Sequence, residues 1–533
     1  MIRDDLGDAI ATALEALGLT RPDSVHLERP ARREHGDWSS NVAMATSKAA
    51  GRNPRELAAD LIAELESMNL SHVDAIEIAG PGFVNFRLND GWLHDVLAEV
   101  VTSGAAYGRP DLGHGQRVMV EFVSSNPTGP VHAGGARGAC YGDALAGVLE
   151  ATGHDVSREF YINDRGVQMD LFAASLEALR DGTDLPENGY GGDYMKQWAA
   201  EMPDGVDARE WGYAHSLSYT KETLARLGVE FDVWFSERSM VESGAIEEAL
   251  ELLRGRGVVY EHDGASWLRS TDFGDDKDRV IVRSDGGYTY VMPDVAYHRN
   301  KFERGFDLII NVFGADHHGY VSRLKASVAA LGYEPDALEV RINQLVRLER
   351  DGEEVKIGKR SGELIELADV LDEVGPDATR FSYLLQSIDS HMTIDLAAIA
   401  SKSMDNPVFY VQMAHARACS IQRRAAEAGF GAATATSGDP SLLTHQRELD
   451  VLRSLSEFSD VLTLSVRERA PHKLVTWVRE LASAFHGFFA DCYVVAESVP
   501  TDLAAARLQL VEAGRIGLAS ALDILGVAAP EEL

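Results

Sequence analysis

Ser124-Ser125-Asn126-Pro127-Thr128-Gly129-Pro130-Val131-His132-Ala133-Gly134-Gly135 separates a short apolar run at 118–122 from a helical pattern carrying Leu145, Val148 and Leu149 on one side. Gly153 is placed to stop that helix. A second strand is expected at 156–162. Strand, glycine-rich turn, helix and strand within about 45 residues make one βαβ unit of a doubly wound parallel sheet. The turn opens a helix, and free backbone N–H groups together with the helix dipole favour an anion there. Gly134 and Gly135 would let a nucleotide approach the backbone, and His132 can donate to a phosphate oxygen. A tight strand-to-helix turn with a solvated histidine fits the same residues.

Outward from this unit, Leu308-Ile309-Ile310-Asn311-Val312, Gly314 and a helix with Val321 and Leu324 predict a second one. The stretch 170–280 is mixed and polar, and reads as an insertion between the sheet's halves. Before the sheet, Ile2, Leu6, Ile10, Leu14 and Leu17 recur at helical spacing. Phe83-Val84-Asn85-Phe86-Arg87-Leu88 alternates as a half-buried strand after the turn Gly80-Pro81-Gly82. These make a small α+β module over 1–108. The doubly wound, Rossmann-like domain is expected over 109–395, and an all-helical domain over 396–533, with a flexible loop at 429–439.

At 533 residues the chain is long enough for several cores. No apolar stretch reaches the roughly 18 residues of a membrane helix. The start, Met1-Ile2-Arg3-Asp4-Asp5, lacks a signal peptide's basic and apolar regions. Cys140, Cys419 and Cys492 form no CxxC pair, which argues against a disulfide framework and a thiolate zinc site. A cytoplasmic protein is expected. The net charge of −34 cuts against simple phosphate binding over the whole surface but permits a local basic patch. Arginine far outnumbers lysine; a salty cytoplasm and a GC-rich genome explain this equally well.

In so acidic a chain, Lys356-Ile357-Gly358-Lys359-Arg360 stands out. Its cations suit a leaving pyrophosphate, and a solvated turn fits as well. His132-Ala133-Gly134-Gly135 resembles the HIGH motif of class I aminoacyl-tRNA synthetases, and 356–360 resembles their KMSKR motif. Val120-Glu121-Phe122-Val123-Ser124-Ser125-Asn126-Pro127-Thr128-Gly129-Pro130, Tyr161-Ile162-Asn163-Asp164-Arg165-Gly166, Gly314-Ala315-Asp316-His317-His318-Gly319-Tyr320 and Asp405-Asn406-Pro407-Val408-Phe409-Tyr410-Val411-Gln412 narrow the resemblance to arginyl-tRNA synthetases. Early His35-Gly36-Asp37-Trp38 and the tail Leu525-Gly526-Val527-Ala528-Ala529-Pro530 extend it from end to end. Gly135 replaces the second histidine of HIGH, and Gly358 the serine of KMSKR.

The resemblance implies an ATP-dependent ligase that forms arginyl-adenylate and passes arginine to tRNA(Arg), with arginine activation requiring the tRNA. Catalysis falls to His132, Lys356 and Lys359, with no covalent nucleophile. ATP, taken as its Mg²⁺ complex and with no tightly bound cofactor, is expected on Pro130, His132, Gly134, Gly135, Lys356 and Lys359. Arginine is expected on Glu121 and Asn126 at its amino-acid end, on Tyr290 and Asp294 at its guanidinium, and against His317. Taken alone, Glu121 reads rather as a strand-end surface charge and Asp294 as a helix N-cap. Tyr410, Gln412, His415 and Arg417, with Arg423, Arg424 and Trp477 as further candidates, are expected to meet tRNA, since stacking and edge contacts read unpaired bases. The N-terminal module would meet the same tRNA. His298 and the 316–318 run offer metal-ligand types, but no HExxH or cysteine partner stands nearby, so no metal is expected. The resemblance implies a monomer. Two alternatives stay open: an adenylating nucleotidyl transferase acting without tRNA, for which a helical anticodon reader has no use, and a catalytically degenerate RNA-binding relative, against which the retained lysines weigh.

Overall fold

The computed structural model describes the chain except residues 1, 23, 31, 351, 356–364 and 432–437, and leaves out the side chains of residues 33 and 316–318. The basic stretch with Lys356 and Lys359, and part of the expected loop at 429–439, lie outside the described residues. Two compact units are present. One comprises Met1–Tyr107, Ile421–Ser456 and Ala484–Gly514; the other comprises Gly108–Ser420, Glu457–Ser483 and Arg515–Leu533.

In the first unit, helices α1 (Ile2–Ala16), α2 (Val42–Ala50) and α3 (Pro54–Ser67) accompany an antiparallel sheet of β1 (Trp38–Ser40), β2 (Val73–Ala79) and β3 (Phe83–Leu88). Its strand order is β1-β3-β2, so the expected strand at 83–88 is the middle one. Leu6, Ile10 and Leu14 are buried in one core with Leu57, Leu61, Val84 and Phe86, and Ile2 and Leu17 pack against it. The helical spacing therefore marked a true buried face. At the hairpin, Gly82 has φ +141 and a Cβ there would lie 3.1 Å from Pro54, which starts α3. Helix α4 (Gly91–Ser103) follows.

The second unit is built on five parallel strands: β4 (Arg117–Glu121), β5 (Asp155–Ile162), β6 (Val233–Ser236), β10 (Leu308–Gly314) and β11 (Leu338–Asn343), in the order β11-β10-β4-β5-β6. Helix α5 (Ala136–Glu150) links β4 to β5. Between β5 and β6 run α6 (Val167–Asp181), α7 (Asp193–Glu201) and α8 (Ala208–Arg226). After β6 come α9 (Glu237–Glu242), α10 (Ala245–Gly255), a three-stranded sheet of β7 (Val259–His262), β8 (Ala265–Leu268) and β9 (Arg279–Val282), and α11 (Val291–Glu303). Residues 170–280 thus supply the edge strand β6 as well as inserted structure. Its four half-buried residues, Val-Trp-Phe-Ser, carry no alternation that would reveal a strand. Helix α12 (Val321–Leu331) joins β10 to β11, as expected.

The chain enters the sheet at β4, runs outward to β5 and β6, then returns to the other side of β4 for β10 and β11. The direction of travel reverses between β4 and β10. Ligands of open α/β sheets bind beyond the carboxyl ends of the strands at such a reversal. A small sheet of β12 (Val346–Arg350), β13 (Glu353–Val355) and β14 (Met392–Asp395) follows, with α13 (Leu367–Val374), α14 (Pro376–Tyr383) and α15 (Leu396–Ala400). The remainder is helical: α16 (Pro407–Glu427), α17 (Gln446–Leu455), α18 (Phe458–Glu468), α19 (His472–Asp491) and α20 (Thr501–Ile524).

Arg380 on α14 is 1% exposed, and its guanidinium closes the second unit around itself. It donates to the Leu525 carbonyl at 3.0 Å and the Gly228 carbonyl at 2.9 Å, and pairs with Asp143. Gly526 passes this group at φ +66, where a Cβ would stand 2.2 Å from Nη2. Both the backbone conformation and the space require glycine. Gly526→Ala is expected to destabilise the protein by about 2 kcal/mol or more, seen as a lower thermal melting midpoint; an unchanged midpoint would refute the close approach.

Candidate active site

Beyond β4 the backbone takes an uncommon path: Val123 and Ser124 have φ of +69 and +31. For a β-branched valine this is strained by about 1–3 kcal/mol, a cost found where a site over-determines the chain. The bend lets Ser124 Oγ donate to Glu121 Oε1 at 2.8 Å while accepting from the Tyr161 amide at 3.1 Å. The loop then reaches buried Pro130 and the turn Ala133–Gly135, which His132 caps. Its Nδ1 accepts from the Gly135 amide at 3.0 Å. A neutral His132 with Nδ1 accepting must carry its proton on Nε2, the form that can donate to a phosphate. A Cβ at Gly134 would stand 3.2 Å from that Nδ1, so this glycine protects the imidazole's position.

His132, Gly134 and Gly135 line a cavity of about 900 Å³ at the sheet's switch point, with Val123, Gly314, Asn343, Arg347 and His391 among its other walls. Arg347 lies on β12 and His391 immediately before β14, and nothing in their local sequence pattern set them apart. Arg137, 1% exposed, braces this wall by donating to the Ser390 and Ser387 carbonyls at 2.6 Å each.

A second group of residues lies at the strand ends and on α11. Glu121 is 4% exposed, which excludes the surface-charge reading. Its Oε2 pairs with Lys301, itself fully buried. Lys301 Nζ also donates to Asn311 Oδ1 at 2.9 Å and lies 4.2 Å from the centre of the Tyr297 ring. Because lysine only donates, the Asn311 amide must turn its nitrogen to His298 Nε2, 2.9 Å away. His298 Nδ1 then donates to the Asp294 carbonyl at 2.8 Å. Burial, reinforced by the Lys301 charge, pushes His298 down to about 3, so it is neutral as this chain of bonds requires. These bonds use both ring nitrogens, so His298 is a structural link and not a metal ligand.

Asp294 stands one turn inside α11, whose N-cap is Tyr290, so the N-cap reading of Asp294 is corrected. Burial, then the charges of Glu121 and Glu237, push its carboxyl up to about 7. Burial likewise raises Glu237, which hydrogen-bonds Tyr161 and stands near Arg165. Glu121 at the end of β4, Glu237 after β6 and Asp294 on α11 thus crowd together, with Lys301 and Arg165 beside the first two. Glu237 was missed by sequence reading: it opens α9 in a stretch without a motif. Tyr290 is 81% exposed, and Asn126 binds Gln168 at the mouth of α6. The side chain of His317 lies outside those described; its backbone belongs to the short helix Ala315–Tyr320 after β10.

On α16, Gln412 and His415 are buried at 7% and 3% exposure. Gln412 donates to Asp377 at 2.8 Å and to the Ala528 carbonyl at 3.0 Å, and His415 bonds the Pro530 carbonyl at 2.9 Å. Their polar atoms hold the 528–530 segment rather than face outward, which corrects their expected contact with RNA. Trp477, 2% exposed and stacked on Phe458, is a core residue. Tyr410 and Arg417 are half-buried on the same helix as Gln412. Among the described residues no group of histidine, cysteine and carboxylate side chains could hold a metal.

Fold and site together define a class I aminoacyl-tRNA synthetase. Residues 96–189 and 204–398 match the family model described as "tRNA synthetases class I (R), catalytic domain", residues 4–88 match "Arginyl tRNA synthetase N terminal domain", and residues 411–533 match "DALR anticodon binding domain". The chain is 42% identical over 554 aligned positions to arginine–tRNA ligase 1 of Halalkalibacterium halodurans and to arginine–tRNA ligase of Bacillus subtilis, covering 100% of this chain and 99% of each relative. It shares its fold, at a TM-score of 0.78 and 23% identity with full coverage of both chains, with the Thermus thermophilus arginyl-tRNA synthetase. The chain belongs to the arginyl-tRNA synthetase family.

The raised Asp294 has a consequence for stability. Aspartate ordinarily titrates near 4, so between about 4 and about 7 the fold holds a proton that the unfolded chain has lost. Ligand-free stability therefore declines as pH rises across that window. Asp294→Asn is expected to melt higher than wild type at pH 8 and alike at pH 4, as followed by circular dichroism. Lys301→Met leaves Glu121 buried without its cation, a loss of about 3–5 kcal/mol. Adding Glu121→Gln to it should recover much of that loss in the same melts, and no recovery would place the lysine's value elsewhere.

Proposed function

We infer that the chain is an arginine–tRNA ligase. It activates L-arginine with ATP to arginyl-adenylate and pyrophosphate, then transfers arginine to the 3′ end of tRNA(Arg). The observation that supports the substrate is the crowding of Glu121, Glu237 and Asp294 at the ends of β4 and β6 and on α11. A guanidinium presents a planar fork of donors, and carboxylates are its bidentate partners. Family membership along the whole chain does not favour a tRNA-independent transferase or an inactive relative.

In this reading Asp294, with Tyr290 at the rim and His317 as a wall, receives the guanidinium. Glu121 and Asn126 receive the amino-acid end. Both Glu121 oxygens already accept a bond, but each carboxylate oxygen has a second lone pair for an ammonium. The arginine carboxylate attacks the α-phosphate in line. Pro130, Gly134 and Gly135 shape the nucleotide's place, and ATP enters as its Mg²⁺ complex. His132 Nε2, Lys356 and Lys359 offset charge on the phosphates as pyrophosphate leaves, so catalysis is positioning and electrostatics. The ribose hydroxyl of tRNA then takes the arginyl group. Tyr410 and Arg417 are the tRNA contacts proposed on α16. A monomer in the cytoplasm completes the reading; three buried cysteines, none in a disulfide, suit a reducing compartment.

The test is arginine-dependent ATP–pyrophosphate exchange with and without tRNA(Arg), with lysine as control. Exchange with arginine and tRNA together is expected, and none with lysine. Arginine binding should strengthen from pH 6 to pH 8 as Asp294 ionises, by up to about tenfold per unit below its midpoint. His132→Ala should cost about 3–4 kcal/mol of transition-state stabilisation, two or more decades in rate. An unchanged rate would remove the histidine from the chemistry.

A further inference from the structure

Helices α6–α8 contribute no residue to the reaction above, yet two of their hydroxyls reach the turn that carries it out. They share an aromatic core: Trp198, buried, meets Tyr194 edge-on at 5.2 Å between ring centroids and Tyr219 at 5.7 Å. From this core Tyr194 Oη donates to the Thr128 carbonyl at 3.3 Å. A Cβ at Gly129 would stand 3.1 Å from the same hydroxyl, so ring and loop are in contact. Tyr219 Oη donates to Glu366 Oε2 at 2.6 Å.

Glu366 is the N-cap of α13, and its main chain faces His132 in an antiparallel bridge. Flanking that bridge, the Ala133 amide donates to the Ile365 carbonyl at 3.0 Å, and the Leu367 amide to the Val131 carbonyl at 2.8 Å. The two tyrosines therefore fasten the 128–133 segment on both flanks of His132, one directly and one through Glu366. Neither lines the cavity. A group that touches no substrate but fixes one that does acts on rate through geometry, where a misplacement of about 1 Å can cost a hundredfold.

We propose that Tyr194 and Tyr219 are positioning residues, through which the α6–α8 segment holds His132 within reach of the proposed place of the ATP phosphates. The proposal rests on the arginine–tRNA ligase reading of the site. Its signature is a loss of turnover without a loss of arginine affinity, because Glu121, Glu237 and Asp294 stand on β4, α9 and α11 and Asn126 is held by Gln168 and by neither tyrosine.

The full-length chain serves for the test, with tRNA present in every assay. Tyr219→Phe and Tyr194→Phe keep the rings and remove only the hydroxyls. Each is expected to lower kcat for arginine-dependent pyrophosphate exchange about tenfold, with KM for arginine within twofold and the melting midpoint unchanged. Tyr190→Phe, in the same aromatic core through Phe172, is the packing control and should keep full turnover. Full turnover in both tyrosine variants, a matching rise in arginine KM, or an equal loss in Tyr190→Phe would each overturn the brace. A wild-type chain without exchange would instead overturn the functional reading, and this proposal with it.

Discussion

The ammonium of Lys301, sealed from water at the carboxyl ends of the sheet, is the interaction on which the site depends. A buried charge is tolerated only with a partner and full hydrogen bonding. Glu121 on β4 and Asn311 on β10 supply these, and the two face each other across the strand pair in register. One strand further, Glu159 stands opposite Glu121 and binds Arg304 at 2.5 Å and Tyr297 at 2.5 Å. Helix α11 and its C-cap Arg304 are thus bolted across three strands by two ion pairs and a hydrogen bond. Asp294 is placed by that helix, and Glu121 by its lysine. Both ends of the proposed amino-acid site follow from one set of buried pairs.

The frame was legible because parallel strands and amphipathic helices print their burial into the sequence. The apolar run at 308–312 lies in β10, that at 118–122 lies in β4 but for Phe122, and the 2, 6, 10, 14 spacing is a buried face. Asn311, polar inside an apolar run, was a visible mark of a buried site whose meaning needed the fold. What was not legible depends on partners distant in sequence. Lys301 looks like any surface lysine until Glu121, 180 residues away, is brought to it. Gln412 and His415 carry the chemistry of RNA contacts, and only the segment at 528–530 shows that their polar atoms point inward. Strand β6 had too few residues to show a period.

The two glycines of the turn are different cases. At Gly134 a Cβ would crowd His132 at 3.2 Å, whereas at Gly135 the nearest atoms stand at 3.7 Å, an ordinary contact. Gly135 also has φ −76 and ψ −20, open to any residue. The departure from the HIGH pattern at 135 is therefore no steric demand of the backbone. Relative to the HIGH pattern it leaves the cavity wall one imidazole poorer, and in the proposed mechanism His132, the turn amides and the lysines act without it.

The closure around Arg380 also bears on how the protein is made. Its guanidinium joins Asp143, the Gly228 carbonyl and the Leu525 carbonyl, while the Ala528 amide donates to Asp377 at 3.1 Å. Residues 515–533 belong to the unit that holds the cavity, though they are synthesised only after α16–α19. On the ribosome, a nascent chain that has completed every strand of the parallel sheet still lacks the carbonyl that satisfies this buried cation. Long-range closure of this kind comes late. In a prematurely terminated chain water takes the place of the Leu525 carbonyl, and the guanidinium that the mature protein seals stays open to solvent.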